Sequence, residues 1–114
     1  MSALVRQALA DAANTVEGIT VAPYFKQTTK PGSGMVRRDR TEYPTPFGGL
    51  VTWQVLVFLP QDLAAAEKYL DEKGPQLAQA LSPQMSVSAV EAQQLALDTG
   101  AVPIALIQGT REEE

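Results

Sequence analysis

Five of the nine basic residues of this 114-residue chain fall between Lys26 and Gly49. They are Lys26, Lys30, Arg37, Arg38 and Arg40, interrupted by Asp39. Ammonium and guanidinium groups at this density grip carboxylates or phosphates. The bland reading is a solvated loop, which charge runs usually are. The functional reading is a docking arm that meets an acidic surface on another copy or on a partner, or that approaches DNA. A segment of more than twenty residues without clear structure inside a small domain favours a functional role.

The other reactive side chains are fewer. Histidine and cysteine are both absent. A zinc site, a histidine-dependent triad and a thiol nucleophile are therefore not expected, and neither is a disulfide. Carboxylate or lysine chemistry remains open. The clustered acidic groups, however, are Glu67, Asp71 and Glu72 on the wet side of a helix, and Glu112 to Glu114 in a polar tail. Acid–base catalysis needs carboxylates that converge in a pocket. No glycine-rich phosphate loop is present, because "GSG" and "FGG" lead into no helix. No metal, cofactor or catalytic residue is expected. The formal net charge of −4 argues against sequence-general nucleic-acid binding as the main task.

The elements that must position these residues can be read from periodicity. An apolar fraction of 45% with 19% charge suits one α+β domain with a real core, spanning residues 1–114. Residues Ala3 to Val16 repeat apolar side chains at helical spacing through Leu4, Ala8, Ala12 and Val16, widened by Val5 and Leu9. The opening "MSALVRQALADAANTVEG" reads as this helix and not as an export signal, so synthesis and assembly in the cytoplasm are expected. No apolar run reaches membrane-span length, and no membrane partner is expected. "ITVAPYF", Ile19 to Phe25, reads as a strand with an edge or bend at Pro23. The basic segment follows as an extended arm at about 27–49. "KPGSG" is a turn, and "YPTPFGG" joins two X-Pro steps to a glycine pair.

"LVTWQVLVFLP", Leu50 to Pro60, is the clearest strand; its start reads as half-exposed and its end as buried on both faces. Gln61 to Ser82 reads as a second helix with Asp62 as N-cap and an apolar stripe of Leu63, Ala66, Leu70, Leu77 and Leu81. Gly74–Pro75 is expected to break or kink it. Met85 to Leu95 reads as a weak strand. Asp98, Thr99 and Gly100 then turn it into a final strand through Val102, Ile104 and Leu106. The expected fold is α+β: two helices on one face of a mostly antiparallel sheet of about four strands.

Aromatic residues gather where the arm returns to the sheet. Trp53 reads as core. Phe47, between a proline and a glycine pair, either anchors the arm or inserts into a neighbour. Tyr43 and Met35 join it as apolar contacts of the arm.

The order of these elements, with the arm before "VTWQVLVFLP", the helix "QDLAAAEKYLDE" and the hairpin "SVSAVEAQQLALDTGAVPIALIQGTREE", resembles the tail-terminator and neck proteins of long-tailed bacteriophages, most nearly those of phages infecting actinobacteria. The resemblance spans nearly the whole chain and rests on size and element order, not on a short motif. It implies a structural virion protein at the head–tail junction and no enzyme. Such a protein forms a ring, commonly a hexamer, on the top of the tail tube. The ring ends tube polymerisation and meets the head–tail connector or stopper protein, and DNA passes through its lumen without sequence-specific binding.

No site residue carries over by motif. The interface candidates are therefore those of charge and exposure: Lys26, Lys30, Met35, Arg37, Arg38, Arg40, Tyr43 and Phe47 on the arm, against Glu67, Asp71 and Glu72 or the tail. An arm of this kind orders only when a neighbour receives it. Two alternatives stand beside this reading: a head-completion or stopper neck protein of similar build, and a small intracellular module that binds through the basic arm.

Overall fold

A computed structural model describes residues 2–24, 30–45, 48–97 and 100–113. The elements run α1 (Ser2–Ala13), β1 (Thr20–Ala22), β2 (Ser33–Thr45), β3 (Gly48–Phe58), α2 (Leu63–Leu81), β4 (Ser86–Leu97) and β5 (Gly100–Glu113). This is an α+β fold with two helices and one five-stranded sheet of order β1-β2-β3-β5-β4. The sheet is mixed: β1 runs parallel to β2, and the other three pairings are antiparallel. The expected four strands become five because the basic segment is itself a sheet strand. From Gly34 to Thr45, β2 pairs with β3, and it shifts register at Asp39. The polar side chains of this strand hid it, since a two-fold apolar alternation is lacking there.

β3 organises the core. Every residue from Val51 to Leu59 is buried, including Thr52 and Gln54, so the half-exposed start expected for this strand is confined to Leu50. Alternate residues of β3 face two different apolar clusters. Val51, Trp53, Val55 and Val57 lie under the helices, with Val5, Leu9 and Ala13 of α1 and Ala66, Leu77 and Leu81 of α2. Leu56 and Phe58 lie on the other face with Met35, Val102, Ile104 and Leu106. That second cluster is closed by Leu95 and Leu97 of β4 and not by a helix.

Both helices deviate from their sequence stripes. In α1 the buried line runs through Val5, Leu9, Ala10 and Ala13, while Leu4 is 71% exposed. Small alanines let the helix lie close to the sheet and set this rotation. α2 is capped as expected: the Asp62 carboxylate accepts the Ala65 N–H at 3.0 Å. It then continues through Pro75 as one helix to Leu81, instead of breaking at Gly74–Pro75. A Cβ on Gly74 would stand 3.3 Å from Val90 Cγ1, so glycine lets the helix approach β4 closely there. Burial of Leu77 and Leu81 holds the half beyond the proline in place. Leu63, first in the expected stripe, is 75% exposed, because Ala66 is the first residue of α2 to reach the core.

The loop after α1 and the loop before β2 meet at a tight corner. Gly32 has φ +91°, and a Cβ there would fall 2.4 Å from the Gly18 carbonyl oxygen and 2.9 Å from the Tyr69 hydroxyl. The Gly32 N–H donates to Phe58 O and its carbonyl accepts from Thr20 N. Gly32→Ala therefore combines left-handed strain with a backbone clash, and should cost about 2–4 kcal/mol in urea unfolding. Tyr69 beside it has its hydroxyl pKa raised above the usual 10.0, by burial and then by the Glu72 carboxylate. The folded state holds this proton more tightly than the unfolded chain. Stability should thus fall as pH rises beyond about 10. Tyr69→Phe should flatten that decline, as read from melting temperatures across alkaline pH.

Candidate functional site: an arginine-rimmed cleft at the β2 edge

β1 pairs with β2 only through Ser33–Met35. Beyond that point the outer side of β2 carries no strand partner among the described residues. A bare strand edge exposes backbone donors and acceptors. Arg6 of α1 covers part of this one. Its Nη1 donates to Val36 O at 3.0 Å and to Pro23 O at 3.1 Å. Its guanidinium lies 4.6 Å from the Tyr24 ring centroid and 5.4 Å from that of Trp53. One side chain thereby ties α1, the end of β1 and the middle of β2 over a core tryptophan.

Arg37 is held in another way. It projects to the face away from the helices, where its Nε and Nη2 both donate to Gln54 Oε1, at 2.8 and 2.5 Å. Gln54 Nε2 passes the chain on to Gln108 Oε1 at 2.9 Å. This explains how Gln54 is 5% exposed without an energetic penalty: its amide is satisfied on both sides.

The end of the β4–β5 hairpin curls back toward β2. Leu95, Ala96 and Leu97 line one cleft with Met35 to Arg38, although β3 and β5 lie between these strands in the sheet. The cleft measures about 380 Å³. Met35, Leu56, Leu95 and Leu97 give it an apolar floor, and Arg6, Arg37 and Arg38 give it a cationic rim. Tyr24, 55% exposed, stands beside Arg6. A smaller cleft of about 180 Å³ lies between α2 and β4, and is lined by Leu63, Glu67, Leu70 and Pro103 among others.

The interface residues expected from sequence divide accordingly. Arg37 and Arg38 come together at the large cleft. Lys30 is exposed in the loop before β2, and Arg40 is paired with Glu42 further along the strand. Met35 is not available to a partner: it is 6% exposed, because it packs in the second core cluster opposite Leu56. Tyr43 lies within β2. Lys26 and Phe47 lie outside the described residues, as do Phe25 and the expected turn residues Asp98 and Thr99. Glu67, Asp71 and Glu72 are exposed on α2, which packs on β4 and β5, while α1 packs on β1 and β2. The acidic set thus lies on the helix over β4 and β5, and the basic set on β2.

Three contributors were not legible in the sequence. Arg6 reads there as a residue of the wet helix side, and Gln54 as an exposed strand position. Leu95 reads as the end of a weak strand, and Leu97 lies beyond it. Each acquires its role from a residue at least seventeen positions away. Among the described residues no group of acidic side chains could hold a metal ion. No helix among them is long and apolar enough to cross a membrane. No protein-family model matches the chain, and no curated protein is significantly similar to it in sequence.

Arg6→Lys keeps the charge but cannot fork two carbonyls while stacking on rings. The expected loss is about 1–3 kcal/mol of unfolding free energy, since a hydrogen bond to a charged group contributes in that range. Arg6→Ala should lose at least as much. A urea titration followed by Trp53 fluorescence measures both, because the guanidinium lies over that ring.

Proposed function

We propose that this chain is a structural subunit that assembles with copies of itself into a ring, and that the ring belongs to the head–tail neck of a long-tailed bacteriophage, of the tail-terminator type. The observation that carries the assembly reading is the sidedness of the molecule. One surface presents an arginine-rimmed cleft on β2, and a different one presents the carboxylates of α2 over β4 and β5. A ring needs a heterologous interface, in which one patch meets a different patch on the next copy. Two patches of opposite charge meet that requirement and would set register and association rate.

The β4 edge adds to the argument. It is twelve residues long and carries one charged side chain, Glu91. Exposed edges of that length are normally blunted with charge or proline, or covered by a partner. The phage assignment rests on the order of elements described above, and it supplies the further partners: the tail tube protein below and the connector or stopper protein above. In this reading the chain acts in the virion and performs assembly, not catalysis.

A second reading draws on the cleft alone. A small module could use Arg37 and Arg38 to bind an acidic protein segment, or use the whole basic strand on DNA. Mass separates the two. Light scattering across a concentration series should show the wild-type protein passing from monomer to one discrete closed species, alone or on adding tail tube protein. Added salt should slow this, because surface charge pairs are screened. A strict monomer that ignores tube protein but binds DNA at low salt would install the second reading in its place.

A further inference from the structure

The most exposed large apolar residue among the described ones is Leu63, at 75%. It sits in the first turn of α2, and Glu67 and Asp71 follow at i+4 and i+8. That spacing places the three on one helix face, about 6 Å apart along the axis. The result is an apolar knob backed by two exposed carboxylates. On a different surface lies its complement: the half-buried Leu95 and Leu97, over the buried Met35 and Leu56, rimmed by Arg6, Arg37 and Arg38.

We infer that Leu63 of one copy seats in the β2 cleft of the next, with Glu67 and Asp71 meeting the arginine rim. This deepens the ring reading above and rests on it for the identity of the partner. The knob and the cleft are different surfaces of the chain, so the contact is heterologous and repeats from copy to copy. The cleft is at the low end of the range of about 300–1,000 Å³ typical of ligand sites, ample for one leucine side chain. Its rim has residue types enriched at interface centres: arginine and the exposed Tyr24.

The rim is also held in place before any partner arrives. Arg6 is fixed by two carbonyls and two rings, and Arg37 by the Gln54 amide. Each guanidinium has more donors than these contacts use. Little side-chain freedom is lost when a carboxylate docks on cations already oriented, and that favours binding. The acids of the same copy lie on α2, over β4 and β5, while the rim lies at the β2 edge. The geometry therefore directs the pairing between molecules.

The chain lacks cysteine, so engineered thiols report without background. Leu63→Cys and Arg38→Cys proteins, mixed under mild oxidation, should give a disulfide-linked pair that contains one of each. Neither variant alone should cross-link. Leu97→Cys in place of Arg38→Cys should behave likewise. Leu63→Asp should weaken self-association by about tenfold or more, the scale of a central interface residue, with an unchanged melting temperature. Glu67→Arg should weaken it too, and Arg38→Glu in the same chain should restore part of the loss.

Cross-linking of Leu63→Cys with itself would overturn the inference by showing a two-fold contact. Wild-type rings that form while Leu63→Asp assembles normally and the mixed pair stays unlinked would also overturn it, yet leave the ring reading standing. A wild-type chain that stays monomeric and unlinked would remove both. Mixed cross-links in rings that do not cap tail tubes would uphold the docking pair and remove the phage assignment.

Discussion

β3 is buried on both faces, and the molecule has helices for only one of them. From Val51 to Phe58 every residue of this strand is buried. α1 and α2 cover the face of Trp53, Val55 and Val57. The face of Leu56 and Phe58 needs another cover, because apolar area of this kind stabilises the fold only if water is excluded. The sheet supplies it by curling. The end of the β4–β5 hairpin brings Leu95 and Leu97 onto the second cluster, and this brings β4 close to β2. The arginine-rimmed cleft is the seam left where that closure is incomplete.

The same constraint accounts for the buried polar row. Gln54 lies on the side that no helix covers, two residues from Leu56, at a level where β4 contributes no apolar residue to the second cluster. A glutamine there is stable because Arg37 and Gln108 satisfy its amide from both neighbouring strands. Arg37 is in turn fixed on the rim of the cleft. A packing problem in the core thus orients a cation at the surface, and the link from sheet curvature to binding chemistry is direct. Arg6 plays the matching part on the helix side. It closes the β2 edge that the three-residue β1 is too short to pair, and it enters the rim as it does so.

Assembly through this seam would use what a free monomer cannot satisfy. Leu63 stands in water in the single chain, and Leu95 and Leu97 of the cleft are only half-buried. Neither feature stabilises the monomer, and both are complementary in shape class and charge. The long, lightly charged β4 edge is of the same kind.

The sequence by itself determined the kinds of elements and several of their ends. Alternation marked β3, helical spacing marked α1 and α2, Asp62 marked the start of α2, and the absence of histidine and cysteine narrowed the chemistry. These are local properties, carried by neighbours in the chain. The tertiary structure alone decided that the basic segment is a strand, that β1 joins it in parallel, and that Gly74–Pro75 leaves α2 unbroken. It alone buried Met35, exposed Leu63 and gave Arg6 its two carbonyls. Periodicity states which side chains share a face, but not what covers that face. Cover depends on pairings such as β2 with β3 and on the curl of β4, which involve residues far apart in sequence. For the candidate site the division is sharp: the arginines of β2 could be named from the chain, while the floor they surround came from three strands brought together by the closure of the core.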